Sequence, residues 1–321
     1  MKQKGMIWIA FMIVGLMGCA PAIKDLKPAL GASDTGRIWF QTPGSLIAAQ
    51  KNFQFAPGQA QILSGNLKLP KGVGPFPGVI LAHGAAGITP TETEWEKQLL
   101  NLGYATFLLD SFGGRGLTEV YSQQKALTPV QRVPDAYGAL RILATHPMID
   151  ARRIALMGFS HGAILTLDAS TLWAKETFTN ESGPAFRAFI AVYPYCNNTF
   201  PELTRLSAPL RIHSGELDDW APAEPCQQLV EKLQKAEVDA SIIIYPSAHH
   251  AFDNPTQSFK QITTVYSYKN CLYELDSILG PYPTDDERAK CRQSGATVAG
   301  NPEATNQAHR NVGDQLSELL K

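Results

Sequence analysis

The chain has 321 residues, 44% of them hydrophobic, and a formal net charge of -1 at pH 7. This length is enough for one large α/β domain with a substantial core, or for two ordinary domains. Because the charges balance and no basic cluster stands out, the composition argues against a nucleic-acid-binding protein.

The first residues have the pattern of an export signal. Two lysines precede an apolar run over residues 6–16, which has the length of a signal-peptide core and is too short to span a bilayer comfortably. The run ends in Leu16-Met17-Gly18-Cys19, which resembles a bacterial lipobox, although Met17 is not the commonest residue at its position. The resemblance implies that residues 1–18 are a lipoprotein signal peptide and that cleavage leaves Cys19 for lipidation. A plain secretory signal with an incidental cysteine is the alternative.

Lipidation of Cys19 predicts anchoring to a membrane. Two acyl chains and an N-acyl group hold a chain firmly, because each buried methylene contributes about 0.8 kcal/mol. Cys19 is followed by Ala20 rather than Asp, so the resemblance implies the outer membrane, facing the periplasm, in a Gram-negative organism. We therefore expect an exported protein that reaches its membrane through this lipid anchor.

The remaining cysteines agree with export. Cys196, Cys226, Cys271 and Cys291 form an even set, and an even number in an oxidising compartment indicates disulfides. Of the three possible connectivities, we expect Cys196–Cys226 and Cys271–Cys291. Four free thiols are the alternative.

The chain after Cys19 divides into a tether and one domain. Residues 19–36 are rich in Ala, Pro, Gly and Asp and predict a flexible tether, whereas residues 37–321 predict the folded domain. The stretch from 38 to 55 is apolar without a clear period. Residues 60–69 alternate well enough to predict an antiparallel edge strand.

The next part of the chain alternates between two kinds of segment. Six apolar runs predict strands buried on both faces of a parallel sheet, at 77–82, 104–109, 154–157, 188–192, 210–213 and 241–245. Helical segments are predicted at 92–102, 130–145, 161–175 and 222–236. This order predicts the α/β class, with a doubly wound, mostly parallel sheet and helices on both faces. Residues 255–305 form a cysteine-bearing elaboration on the same domain, before a final helix at 306–320.

A candidate nucleophile lies where the third of these strands gives way to a helix. Gly158-Phe159-Ser160-His161-Gly162 matches the pattern G-x-S-x-G, and the strand-to-helix context is the one that a nucleophile elbow requires. Flanking glycines keep Cβ atoms away from the crowded junction, and the helix N-terminus favours negative charge nearby. Ser160 is therefore the predicted nucleophile.

A serine hydroxyl needs a base beside it and an acid to orient that base. In α/β-hydrolases both follow the serine, on loops at the carboxyl ends of later strands. The strand at 210–213 is followed by a loop with Asp218 and Asp219, and the strand at 241–245 by a loop with His249 and His250. The order Ser, acid, His is therefore present. The residues alone do not decide between Asp218 and Asp219 as the acid, or between His249 and His250 as the base.

The loops resemble those of the dienelactone hydrolase family. Gly215-Glu-Leu-Asp218 matches the family's Gly-x-x-Asp acid pattern, and His250-Ala-Phe252 matches its His-x-Phe base pattern. The similarity extends to the segments 83–87 and 110–116 and covers roughly residues 58–255. It implies an α/β-hydrolase fold, with Asp218 as the acid and His250 as the base. Many members carry cysteine where this chain has Ser160, which argues against true dienelactone specificity.

The tetrahedral intermediate of acyl transfer needs two backbone donors for its oxyanion. One is expected from the amide of His161, directly after the nucleophile, and the family pattern implies Ala85 for the other. Arg115 follows a central strand and is a candidate for binding a substrate carboxylate, with an ion pair to Asp110 as the alternative. Trp220 is a candidate pocket wall, although large aromatic residues more often belong to the core.

These observations predict a serine hydrolase that cleaves a small carboxylic ester or related acyl compound through an acyl-enzyme. No cofactor and no metal are implied, because the histidines lie on separate loops and the triad accounts for one of them. Two other classes remain open. The chain could be a non-catalytic binding lipoprotein on the same fold, or an acyltransferase or peptidase that uses the same triad.

Overall fold

The computed structural model describes residues 25–48 and 54–321. The strands are β1 Gly36–Gln41, β2 Ser45–Ala48, β3 Phe55–Gly58, β4 Ile62–Lys68, β5 Phe76–Ala82, β6 Ala105–Asp110, β7 Ile149–Phe159, β8 Ala188–Val192, β9 Asn198–Thr199, β10 Leu210–Gly215, β11 Ala240–Tyr245, β12 Lys260–Ser267, β13 Tyr273–Glu274 and β14 Gln293–Val298. The helices are α1 Pro90–Asn101, α2 Val133–Leu143, α3 His161–Ser170, α4 Leu172–Phe178, α5 Ala223–Lys235, α6 Asp285–Ala289 and α7 Pro302–Leu319.

Eight of the strands in the described ranges form the central sheet, in the order β1-β4-β6-β5-β7-β8-β10-β11. The pairs β1–β4 and β4–β6 are antiparallel, and every later pair is parallel. The order reverses at β5, as it does in doubly wound sheets. The predicted fold class is confirmed.

Strand β5 is apolar throughout because both of its faces are covered. In β5, Ile80 and Ala82 join the core on one face, whereas Val79 and Leu81 join the core on the other. Helices α2, α3 and α5 cover the first face, and α1 and α7 cover the second. Successive side chains of a strand point to opposite faces, so the continuous apolar run is what this sandwich requires.

The amino-terminal part differs from the prediction. The antiparallel strand predicted at 60–69 is present as β4, but it is not an edge strand, because β1 pairs along its outer side. The tether predicted for residues 19–36 is packed on the domain at Leu30, which is 5% exposed and whose amide donates to Thr145 Oγ1 at 2.9 Å. Cys19 and the predicted signal peptide lie outside the described residues.

The helix predicted at 161–175 is divided in two. Thr171 is extended, with φ -64° and ψ 147°, so it ends α3 and begins α4. Its hydroxyl accepts from the amide of Ala174, which is the usual contact of an N-cap residue.

The carboxyl-terminal elaboration packs on the same domain. β12 pairs with β14, and β13 adds to the short β9. Both expected disulfides are present: Cys196–Cys226 joins the segment after β8 to α5, and Cys271–Cys291 closes a loop within the elaboration. None of the helices within the described ranges is long and apolar enough to cross a membrane.

Candidate active site

Ser160 lies on the tight turn between β7 and α3. Its backbone has φ 49° and ψ -112°, a conformation that is costly for a residue with a Cβ and is typical of functional sites. A Cβ on Gly158 would lie 2.0 Å from the carbonyl oxygen of Gly162, and one on Gly162 would lie 2.1 Å from that of Ala82. Both glycines of the G-x-S-x-G pattern are therefore sterically required for this turn.

Ser160, His250 and Asp218 form a continuous chain of hydrogen bonds. His250 Nε2 is 2.9 Å from Ser160 Oγ, and His250 Nδ1 is 2.7 Å from Asp218 Oδ2. The other carboxylate oxygen of Asp218 accepts from the amides of Trp220 and Ala221, at 2.9 and 2.7 Å. Asp218 is thus held at both oxygens. It can fix the imidazole tautomer that leaves Nε2 free to accept from the serine hydroxyl.

Asp219 and His249, the alternative acid and base, make other contacts. The carboxylate of Asp219 accepts from the amide of Thr297 at 2.7 Å and from its hydroxyl at 3.0 Å. The ring of His249 packs edge-on against Phe259, with 5.5 Å between the ring centres. Asp219 therefore binds the elaboration, and neither residue touches Ser160.

The acid and base loops meet because β10 and β11 are neighbours whose carboxyl ends lie together. The amide of Leu217 donates to the carbonyl of Ala248 at 2.8 Å. A Cβ on Gly215 would lie only 2.3 Å from the same carbonyl oxygen. The glycine of the Gly-x-x-Asp pattern thus permits the approach that brings Asp218 to His250.

The predicted oxyanion residues, Ala85 and His161, line the same cavity as Ser160. Their surroundings include Arg132, which the sequence analysis missed. The buried Arg132 Nη1 lies 3.0 Å from the carbonyl oxygen of His83, to which it donates, and 2.8 Å from His161 Nδ1. This one side chain therefore links the two segments that carry the predicted donors.

Burial determines the protonation states of the residues around the predicted oxyanion site. Burial, with Arg132 nearby, lowers the pKa of both His83 and His161 well below 6.5. The neutral ring of His161 can then accept from Arg132 at Nδ1 and donate from Nε2 to the carbonyl of Leu127, at 3.1 Å. Burial lowers the pKa of Arg132 to about 10, which leaves it charged at neutral pH.

Glu92 supports the Ala85 loop from the other side. Its carboxylate accepts from the amide of Gly84 at 3.2 Å and from the amide of Thr89 at 2.8 Å. Thr89 and Glu92 form a capping box at the start of α1. The T-x-x-E spacing is a sequence signal that could have identified this contact.

A cavity of about 710 Å³ opens beside Ser160. The cationic side chains of Lys125, Arg288 and Arg292 line it. Ten aromatic side chains also line it, four of them from the elaboration: Phe55, Tyr121, Tyr193, Tyr195, Phe200, Trp220, Tyr266, Tyr268, Tyr273 and Tyr282. Trp220 lines the cavity as predicted and lies 5.1 Å from His250 between ring centres. The volume suits a small organic molecule.

Arg115 does not have the predicted substrate-binding role. Its guanidinium donates to both carboxylate oxygens of Asp135, at 2.8 Å each, and to the carbonyl of Ser111. Asp135 is fully buried, so the pair neutralises a charge inside the protein. Arg115 is absent from the cavity wall, and its partner is Asp135 rather than the suggested Asp110.

A buried hydrogen-bond network lies next to the ring of His250. Asp253 accepts from Trp95 Nε1 at 2.7 Å and from the hydroxyl of Tyr193 at 2.8 Å. The ring of Tyr193 lies 4.8 Å from that of His250. Burial raises the pKa of Asp253 to about 6, with the carboxylate of Glu92 adding to the effect. Asp253 is three positions beyond His250, but no sequence pattern marked it.

Comparison with known proteins identifies the family. The model of the dienelactone hydrolase family matches residues 63–274. The chain belongs to this family. Across the described residues, no group of three or more His, Cys, Asp or Glu side chains is arranged to hold a metal ion.

Individual relatives are distant. A protein of Bradyrhizobium sp, "Probable 2-oxo-3-(5-oxofuran-2-ylidene)propanoate lactonase", is 22% identical over 226 residues, which is 65% of this chain and 87% of that protein. The solved structure m3DLH has a TM-score of 0.56 at 17% identity and covers 89% of this chain and 100% of its own. A dienelactone hydrolase-like promiscuous phosphotriesterase from metagenomic libraries has a TM-score of 0.53 at 14% identity, with the same coverage of 89% and 100%. At these identities the structures support the fold alone.

Proposed function

We propose that the protein is a serine hydrolase that cleaves carboxylic esters through an acyl-enzyme intermediate. The observation that carries this proposal is the unbroken hydrogen-bonded line from Asp218 through His250 to Ser160, at the wall of an open cavity. A binding protein has no need of an activated serine, so this line favours a hydrolase over the non-catalytic alternative. Membership of the dienelactone hydrolase family agrees with the choice.

The proposed reaction has two halves. Ser160 Oγ attacks the ester carbonyl while His250 Nε2 takes the hydroxyl proton, and Asp218 stabilises the imidazolium. The amides of Ala85 and His161 donate to the oxyanion, each contributing about 2.7–4 kcal/mol to the transition state. His250 returns the proton to the departing alcohol. A water molecule then repeats the sequence on the acyl-enzyme and releases the acid.

A fluorophosphonate probe tests the proposal, because it reacts with an activated serine and needs no knowledge of the substrate. The wild-type chain should be labelled, and Ser160→Ala and His250→Gln should abolish labelling. His249→Gln is the matched control, because this neighbouring histidine has no contact with Ser160, and it should retain labelling. A folded wild-type chain that is not labelled would exclude the hydrolase and favour a binding protein.

We also propose that the protein is exported and lipid-anchored through Cys19. The lipobox-like segment and the two disulfides support this, because disulfides persist in oxidising compartments. Cells fed a radioactive fatty acid should label the wild-type chain, and Cys19→Ala should remove the label. Equal labelling of both chains, or of neither, would contradict the anchor.

A further inference from the structure

The cavity extends along one face of α3. Ser160, His161, Ile164, Leu167 and Asp168 all line it, and this spacing of three and four residues is one stripe of a helix. Asp168 is eight positions after Ser160, which corresponds to about 12 Å along the helix axis. The cavity thus has a nucleophile at one end of the stripe and a carboxyl group at the other.

Asp168 differs from the other buried carboxyl groups. Among the described residues, the buried acids are Glu92, Glu96, Asp135, Asp168, Asp218 and Asp253. The other five accept hydrogen bonds from protein groups. The side chain of Asp168 is only 5% exposed, and no donor in the part of the chain that the structure describes reaches it. Burying a polar group without a hydrogen-bond partner costs about 1–3 kcal/mol.

The surroundings of Asp168 do not relieve this cost. Burial is the only cause that shifts its pKa, and it raises the pKa well above 3.8. Burial raises the pKa of Tyr282 well above 10, with Asp168 adding to the effect and Arg288 opposing it. The Tyr282 hydroxyl donates to the carbonyl of Ile278 at 2.7 Å. This phenol is therefore already engaged. The ring of Phe55 packs against Tyr282 at 5.6 Å between ring centres, and both rings line the cavity.

We propose that Asp168 is a substrate-binding residue that takes a primary ammonium group at the end of the cavity remote from Ser160. This inference rests on the proposed function, because it specifies the substrate class of the same site as esters that carry an amino group. An ammonium ion supplies both the missing hydrogen-bond donor and the missing positive charge. Neighbouring aromatic rings also favour a cation, through their electron-rich faces.

The first experiment measures binding without catalysis. Ser160→Ala is titrated with n-hexylammonium and with 1-hexanol, and the rise in melting temperature gives both affinities. The ammonium ion should bind about 10- to 100-fold more tightly than the alcohol, the range that charge-assisted hydrogen bonds contribute. Asp168 is intact in this experiment. Equal binding of the two probes, or binding of neither, would overturn the proposal.

The second experiment assigns the preference to one residue. In Ser160→Ala/Asp168→Asn the ammonium preference should fall to about onefold, because an amide cannot carry the negative charge that pairs with an ammonium ion. Asp285 lies on the same cavity wall but has a side chain that is 64% exposed. Asp285→Asn in the Ser160→Ala chain is the matched control and should leave the preference within about twofold. An unchanged preference in the Asp168 variant would overturn the assignment.

A third measurement separates the two proposals. The wild-type chain is given a p-nitrophenyl ω-amino acyl ester and the methyl-terminated ester of equal length. A higher kcat/KM for the amino ester, lost in Asp168→Asn, supports both proposals. If ammonium binds through Asp168 but neither ester is cleaved, the proposed hydrolase fails and the binding site stands. If both esters are cleaved equally, the hydrolase stands and the ammonium site is overturned.

Discussion

Asp253 gives the sharpest prediction about stability. It is 1% exposed and accepts two hydrogen bonds behind His250, and burial raises its pKa to about 6. Between about pH 4 and pH 6 the folded chain therefore holds a proton that the unfolded chain has released. Stability rises with pH only where the unfolded state binds more protons, so here it falls. The contribution is fully present below pH 3.8 and is lost as the pH rises through about 6.

The magnitude follows from the displacement of the pKa. A change from 3.8 to about 6 corresponds to about 3 kcal/mol, at about 1.36 kcal/mol for each pH unit. Asp253→Asn removes the titration and keeps the shape. Its amide oxygen can still accept from Trp95, and its NH2 group can donate to Tyr193 if that hydroxyl rotates. The free energy of unfolding of the variant, relative to wild type, should therefore rise by about 3 kcal/mol across this window.

Denaturant unfolding of both chains at a series of pH values between about 3 and 8 measures this difference. Glu92 also has a pKa raised by burial, but its titration occurs in both chains and largely cancels in the comparison. The exposed Asp314 on α7 offers a control: Asp314→Asn should change stability by less than about 0.5 kcal/mol at every pH. A difference between Asp253→Asn and wild type that stays constant with pH would refute the reasoning.

Three further predictions concern the framework around the site. Arg115→Ala should lower the free energy of unfolding by about 3–5 kcal/mol, because it leaves Asp135 buried and unpaired. It should leave KM for a small ester unchanged, and a raised KM at normal stability would restore the substrate-binding role. Replacing both Cys196 and Cys226 by Ser should cost about 3.6 kcal/mol by calorimetry, from the entropy of a loop with a sequence separation of 30; a loss below about 1 kcal/mol would contradict this estimate. Gly162→Ala should cost about 4 kcal/mol or more in melting experiments, whereas the matched Gly84→Ala, whose Cβ would meet nothing nearer than 3.5 Å, should fold normally.

The sequence predicted the parts of the fold that local pattern controls. The apolar runs that became β5, β6, β8, β10 and β11 were recognisable because strands of a covered parallel sheet are rich in apolar residues, with few polar positions between them. The elbow glycines followed from the crowding between a strand and a helix. The loops of the candidate acid and base were also predicted, because each comes directly after an apolar run.

Other features depend on tertiary contacts and left no local signal. β1 lies in an apolar stretch without a clear period, so the sequence could not show that it covers β4. Arg115 could be placed on a loop from sequence, but its partner lies on α2. Only the assembled structure shows that the buried side chain of Asp253 accepts hydrogen bonds, whereas that of Asp168 does not.

The contact between Asp219 and Thr297 has a consequence for how this scaffold could be re-engineered. Asp219 is adjacent to Asp218, and it holds the strand β14 of the elaboration by two hydrogen bonds. Its carbonyl oxygen also accepts from Ser267 Oγ on β12 at 2.6 Å. The elaboration that lines the cavity and the loop that carries Asp218 are thus joined directly by hydrogen bonds. Replacing the elaboration by the corresponding segment of another family member would succeed only if the residues at 219, 267 and 297 were replaced together with it.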